Sequence, residues 1–408
     1  MKRKSLLVAA VLAALVSGPA TAACSFRNEV PVRILSAAFE AWKSVTDAMA
    51  ECGNVTASLD QEFRTKLSAA FAAKPALYQM AGVSNTTIPP LLNQNTIRPL
   101  NDLVEKHGQH LKPNQLIKVG DDIVAVAMMV NTQELAYRKD IFDELGLEVP
   151  GTYDELFEVA EKIRESDKVA YPLGGTTMSG WNLALEWINF YASLAGDSFV
   201  NPDGTPNFNN ENGIRALELL KRTTEYMDPE YLMSDSTFVQ QQMQHGKIAM
   251  ANLWASRVGA MDNEAESTVV GKVHTAPSPI AAEGARPVAM LYWDGIVIPR
   301  NISDEAAEAA FRVAMEGLST EMVQAHNDDA VWLIDGYQPG RLAEGAVATA
   351  TADPGPVPYP MTIEMGLVHS AIGNQISGFF TGTKSAEAAL MAAEEEYRTA
   401  AGEAGLLH

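Results

Sequence analysis

Short apolar runs alternate with amphipathic stretches through most of the chain. Residues 30–35 predict a strand and 38–52 a helix, followed by a strand over 55–59. The stretch 62–73 predicts a helix, because Phe63, Leu67, Ala70 and Phe71 recur at helical spacing, and 76–81 predicts a third strand. Strands alternating with helices build a mainly parallel sheet covered on both faces. Ligands of such sheets sit beyond the carboxyl ends of the strands, which directs attention to residues 36–39, 60–62 and 82–86.

The same rhythm continues with an apolar strand over 124–130. Asn131-Thr132 and a polar segment, 134–140, come next, and here the chain is expected to leave a first lobe. Thr152-Tyr153-Asp154-Glu155 forms a capping box ahead of Leu156, Val159, Ala160 and Ile163, so a helix starts there. Further helices are predicted over 181–195, 210–226 and 237–244, with a turn at Asn201-Pro202-Asp203-Gly204. A strand over 288–299 and a capped helix over 303–318 read as a return to the first lobe. A loop, 336–360, then leads to two terminal helices.

The extreme N-terminus is different in kind. Lys2, Arg3 and Lys4 precede an apolar run over 6–16 and the small residues Ala20-Thr21-Ala22, the order of a secretory signal peptide. The run is about half of the roughly 20 residues that span a bilayer. Cleavage after Ala22 leaves 386 residues, enough for two domains. A lipoprotein reading centred on Cys24 fits less well, because Thr21 stands where an aliphatic residue is usual. Export to an oxidising compartment makes pairing of the two cysteines, Cys24 and Cys52, the expectation, with two free thiols as the alternative.

Formal charge is −21, and loss of the three N-terminal cations takes it to −24. That balance excludes a nucleic-acid partner, which needs basic faces. It also disfavours an anionic ligand unless a local cationic pocket exists. With 47% hydrophobic and 7% aromatic residues the composition is globular.

The order of segments resembles the family 1 extracellular solute-binding proteins, the group that includes maltose-binding protein and other sugar-importer subunits. The likeness rests first on Val130-Asn131-Thr132, Tyr137-Arg138-Lys139-Asp140-Ile141-Phe142-Asp143-Glu144-Leu145-Gly146-Leu147 and Pro150-Gly151-Thr152-Tyr153-Asp154-Glu155-Leu156. Four further passages follow in the family's order: 66–73, 208–220, Gly246-Lys247-Ile248-Ala249-Met250 with Trp254, and Asp294-Gly295-Ile296-Val297-Ile298-Pro299. Where relatives often carry paired glycines before the late strand, this chain has Tyr292-Trp293-Asp294-Gly295. The resemblance implies a two-lobed α/β binding-protein fold, each lobe a mainly parallel sheet flanked by helices, with the ligand enclosed between the lobes. The expected division is a signal peptide over 1–22, a first lobe of 23–130 plus 281–325, and a second lobe of 131–280 plus 326–408. It also implies a monomer that captures a carbohydrate or carbohydrate-like solute and delivers it to the membrane subunits of an ABC permease.

A sugar offers apolar C–H faces and hydroxyl rims, so its site combines flat aromatics with planar polar groups. Trp254 matches the family's ligand-stacking tryptophan, and Trp293, Trp181 and Phe39 are further aromatic candidates. Trp187 falls in an apolar stripe with Leu183 and Phe190 and reads as core. Asp60, Glu62, Ser84 and Asn85 follow strand ends, with helix capping as the alternative for the two acids. Asp294 occupies a family position near the ligand. Arg341, in Gln338-Pro339-Gly340-Arg341, matches a loop that faces the cleft in relatives, a surface ion pair being its alternative.

Paired carboxylates in a sugar cleft are also what a glycosidase uses, so a secreted glycan-acting enzyme or a chemosensory binding protein stands as the alternative function. No Gly-x-Ser-x-Gly elbow, His-Glu-x-x-His, phosphate loop or Cys-x-x-Cys occurs. His107 and His110 lie in a polar stretch and read as surface residues, and no metal ligand set or cofactor is expected.

Overall fold

The computed structural model describes residues 24–407, so the signal peptide expected over 1–22 lies outside the described residues. Twelve strands form two sheets: β1 (Val32–Ser36), β2 (Val55–Leu59), β3 (Met80–Ser84), β4 (Leu116–Val119), β5 (Asp122–Asn131), β6 (Gln133–Arg138), β7 (Tyr171–Gly174), β8 (Ile248–Trp254), β9 (Val273–Pro277), β10 (Met290–Val297), β11 (Val331–Trp332) and β12 (Val357–Pro358). The larger sheet runs β11-β5-β10-β3-β1-β2, with β4 on β5 and β12 on β10. The smaller runs β7-β8-β6-β9. β1, β2 and β3 are parallel, as the strand–helix rhythm predicts. β10 is antiparallel to both β3 and β5, which turns the large sheet into a mixed one.

Strand alternation divides the first lobe's core into two faces. Ile34, Met80, Val126 and Ile296 point toward helices Glu40–Ala50 and Asp304–Gly317. Their neighbours Leu35, Ala81, Ala127 and Val297 point to the other face, toward helix Phe63–Ala72. A side-chain period of two makes this unavoidable once both faces are covered. The second lobe buries helix Trp181–Ala195 almost entirely, with Trp187 at its centre and the indole N–H donating to the Gly213 carbonyl at 3.0 Å.

Local signals act where expected. The Thr152 hydroxyl accepts from the Glu155 amide at 3.2 Å, and the Glu155 carboxylate accepts from the Thr152 amide at 3.0 Å, starting helix Tyr153–Glu165. The Ser303 side chain accepts from the Ala306 amide and caps Asp304–Gly317 without a reciprocal acid. Cys24 and Cys52 are disulfide-bonded, fastening the start of the described chain to the end of helix Glu40–Ala50.

Three expectations need correction. The third strand is Met80–Ser84, not 76–81. The polar segment after Thr132 is strand β6, in which Gln133 and Glu134 are buried. The chain from 326 onward does not belong wholly to the second lobe. Val331–Trp332 pair with β5, and Trp332 and Ile334 join the first lobe's core. Beyond that point helix Glu344–Ala350, in the stretch read as a loop, packs on β6 and β9, and the two long terminal helices pack on the second lobe.

Only Thr132 separates β5 of the large sheet from β6 of the small one. Its hydroxyl donates to the Met290 carbonyl at 3.1 Å, tying this crossing to the start of β10, where the chain has come back. The two crossings are thus held side by side beneath the gap between the sheets.

Candidate ligand-binding site

A cavity of about 540 Å³ opens between the lobes, within the usual range for small-molecule sites. The carboxyl ends of β1, β2 and β3 deliver Phe39, Gln61 and Ser84 to it, as parallel-sheet topology requires. β10 adds Tyr292 and Asp294, and β5 adds Asn131, which pairs in register with Tyr292. From the second lobe come Trp181 and Asn182 at the head of one helix, Asp235, Ser236 and Thr237 at the head of another, and Trp254 at the end of β8.

Five of the expected residues therefore meet in one place: Phe39, Ser84, Trp181, Trp254 and Asp294. The Trp254 ring meets Tyr292 edge to face, with centroids 5.1 Å apart, which fixes the indole as a wall of the cavity. Trp181 stacks on His369 at 4.8 Å and 18°. The His369 Nε2–H donates to the Trp181 carbonyl and its Nδ1 accepts from the Tyr359 hydroxyl, each at 2.9 Å. Burial lowers its pKa to about 4, so it backs the tryptophan as a neutral ring.

The other five stand elsewhere. Trp293 lies between Tyr292 and Asp294 on β10, so alternation turns it to the opposite face, where it joins the core under β3. Asn85 is buried behind the wall, accepting from the Trp293 amide at 2.8 Å and donating to the Tyr359 carbonyl at 3.1 Å. Asp60 pairs with Lys66 and accepts from the Glu62 amide, closing a turn ahead of helix Phe63–Ala72, whose N-terminus neither acid caps. Glu62 is exposed beside Gln61, the residue of that loop that does line the cavity. Arg341 bonds the Val273 carbonyl and the Asp262 carboxylate, away from the cleft.

Sequence reasoning missed Gln61, Arg64, Asn131, Asn182, Asp235 and Arg257, and touched Tyr292 only within the departure Tyr292-Trp293-Asp294-Gly295. Alternation along Tyr292-Trp293-Asp294 puts the first and third residues together, so choosing Asp294 already implied Tyr292. Arg64 stands one position from Phe63 on the helix after β2, with its guanidinium 4.8 Å from the Trp181 ring centroid. Arg257 follows Trp254 by three residues in the short helix Ala255–Val258. Nothing in the local pattern distinguishes either from a surface cation.

Charge in the cavity is finely set. Burial raises the Asp294 carboxyl to about 7, against the opposing pull of Arg64 and a hydrogen bond from the Trp42 indole. Gly82 makes that bond geometrically possible. A Cβ there would come within 2.5 Å of the Trp42 ring, so only glycine lets the indole lie against β3. Desolvation among the cavity walls lowers Arg64, which stays open to solvent, and the half-buried Arg257, opposed by Asp294 and Asp235 respectively. Among the described residues no helix is long and apolar enough to cross a membrane.

The family model for bacterial extracellular solute-binding proteins matches residues 36–316. The chain belongs to that family. This solute-binding protein is 28% identical over 185 residues to a probable ABC transporter-binding protein of Deinococcus radiodurans, a match covering 42% of each chain. It is 33% identical over 112 residues to the multiple sugar-binding protein of Streptococcus mutans, covering 28% of this chain and 23% of the relative. The matched segments thus span less than half the length of either relative. The fold is that of an ABC transporter solute-binding protein from Agrobacterium radiobacter crystallised with ribitol. The TM-score is 0.80 at 22% identity, over 92% of this chain and 100% of that one.

Proposed function

We propose that this solute-binding protein captures a small polyhydroxylated solute, a sugar or polyol, between its lobes and delivers it to the membrane subunits of an ABC permease. The observation that carries this is the lining of the cavity. Five aromatic residues, Phe39, Phe63, Trp181, Trp254 and Tyr292, share it with planar or forked polar groups on Gln61, Asn131, Asn182 and Asp294. That pairing of apolar faces with paired donors and acceptors suits a ligand of alternating C–H and O–H groups. A relative that binds multiple sugars and a fold neighbour holding ribitol support the same class.

The protein acts in the periplasm as a monomer, after export and removal of the segment 1–22, and releases its solute chemically unchanged. A ligand that touches both lobes stabilises the closed form through its differential affinity for that form. A thermal-shift screen over monosaccharides, disaccharides and polyols tests the proposal. At 100 times its dissociation constant a ligand adds about 2.7 kcal/mol of stability. Silence across the whole screen, or turnover of a glycoside by the purified protein, would overturn it.

A further inference from the structure

Two guanidinium groups reach the cavity from opposite lobes, Arg64 from helix Phe63–Ala72 and Arg257 from helix Ala255–Val258. Neither makes an ion pair or a hydrogen bond with another described residue. Arg98, Arg138, Arg164, Arg222, Arg341 and Arg398 each form an ion pair, Arg286 donates to the Gly355 carbonyl, and Arg27, Arg33, Arg215, Arg300 and Arg312 are exposed side chains outside the cavity. In a chain with 51 acidic and 30 basic residues, partners for an arginine are plentiful, yet these two are left facing the same space.

The two carboxylates that share the cavity do not satisfy them. Asp235 commits an oxygen to the Phe238 amide at 2.8 Å, where it caps helix Ser236–Gln244. Asp294 takes its hydrogen bond from Trp42 and approaches Arg64 without closing an ion pair with it. A guanidinium fork fits the two oxygens of a carboxylate, and two forks on opposite lobes can hold one carboxylate between them. An anion held by groups on both lobes gains differential affinity for the closed form.

The geometry points to a polyhydroxylated acid as the solute: a sugar acid whose carboxylate is clamped between Arg64 and Arg257 while its hydroxyls meet the amides and aromatic faces. This rests on the sugar-or-polyol reading above and narrows it. The local cations also answer the net negative charge of the chain, which by itself would turn an acid away.

Calorimetric titration of the protein lacking residues 1–22, with acids matched to neutral partners, tests it. The pairs are gluconate with glucitol, ribonate with ribitol, and galacturonate with galactose. The acid of at least one pair is expected to bind tenfold or more tighter than its partner. Arg64→Gln and Arg257→Gln should each remove that preference while melting curves remain cooperative, and Arg257→Lys should restore part of it. Neutral members binding as well as the acids in every pair, or an acid preference that survives both glutamine variants, would overturn the clamp. Such results leave the sugar-or-polyol reading standing. If no member of any pair binds and the broader screen is also silent, both fail.

Discussion

Arg64 of the first lobe lies with its guanidinium 4.8 Å from the ring centroid of Trp181, the first residue of a second-lobe helix. Because that ring also stacks on His369, its π surface is engaged on behalf of the protein before any solute arrives. A cation–π contact of this kind contributes about 0.5–2 kcal/mol, depending on desolvation. It bridges the lobes in the absence of ligand. Arg64→Ala should therefore shift the unliganded protein toward open forms, seen as a larger radius of gyration in small-angle scattering. A profile identical to that of the unmutated protein would show that the bridge carries no weight.

Trp254 and Trp187 should respond oppositely to truncation. Trp254 lines the cavity and leans edge-on against Tyr292, so Trp254→Ala is expected to weaken binding of the identified solute by roughly a hundredfold, about 2.7 kcal/mol. Its effect on unliganded stability should be limited to about 0.5–1.5 kcal/mol from the lost aromatic pair. Trp187 is fully buried and donates to Gly213, so Trp187→Ala should cost about 3–5 kcal/mol of stability. Calorimetry of binding and of melting on both variants checks the contrast.

The contrast between these two tryptophans was legible in the sequence, and so was most of the fold. Helical spacing around Trp187 and the capping box at Thr152 are local signals, and their elements formed as read. Strand β3 was misplaced because its carboxyl end contains Gly82, whose value lies in admitting Trp42, a contact from another element. β6 was read as a polar linker because burial of Gln133 and Glu134 depends on partners far along the chain: Gln133 donates to Glu186 at 2.7 Å, and Glu134 accepts from the Ala346 amide at 2.7 Å. In the candidate site, sequence identified loops better than residues. Whether an arginine is paired, as Arg341 is, or left facing a cavity, as Arg64 and Arg257 are, is decided by tertiary neighbours alone.

Two buried carboxyls, Glu134 and Glu186, and the half-buried Asp294 predict how stability depends on pH. Burial raises Glu134 and Glu186 to about 8 and Asp294 to about 7, so the folded state keeps protons that the unfolded chain loses near pH 4. Between those limits the native state binds more protons, and stability falls as pH rises. His369, lowered to about 4, acts in the opposite sense, because below about 6.5 the unfolded chain takes up a proton that the folded one refuses. Above pH 6.5 that offset is gone and the carboxyls alone set the slope. The melting temperature of the unliganded protein should therefore decline between pH 6.5 and 8. Glu186→Gln, which keeps an acceptor for Gln133, should reduce the slope by up to about 1.4 kcal/mol per pH unit. A melting temperature that rises over this window would contradict the assignment.

Gly82 offers a way to perturb the cavity without touching a residue that lines it. The glycine sits in β3 beneath the Trp42 ring, and an added methyl would come within 2.5 Å of that ring and 2.6 Å of the Ser36 Cβ. Trp42 is buried in the core between β3 and helix Asp304–Gly317, so it has little room to retreat. Overpacking of this kind costs about 1–3 kcal/mol, and Gly82→Ala should lower the melting temperature accordingly. The shifted indole should also lose its hydrogen bond to Asp294, leaving that carboxylate less stabilised and its pKa higher still. Where the ionised Asp294 accepts from solute hydroxyls, affinity for a neutral polyol near neutral pH should then fall, and recover at a higher pH than in the unmutated protein. Trp42→Phe removes the indole N–H without the added methyl and separates the two effects. It should reproduce the change in affinity with a smaller loss of stability. If Trp42→Phe leaves affinity and its pH dependence unaltered, the Trp42 hydrogen bond plays no part in setting the charge on Asp294.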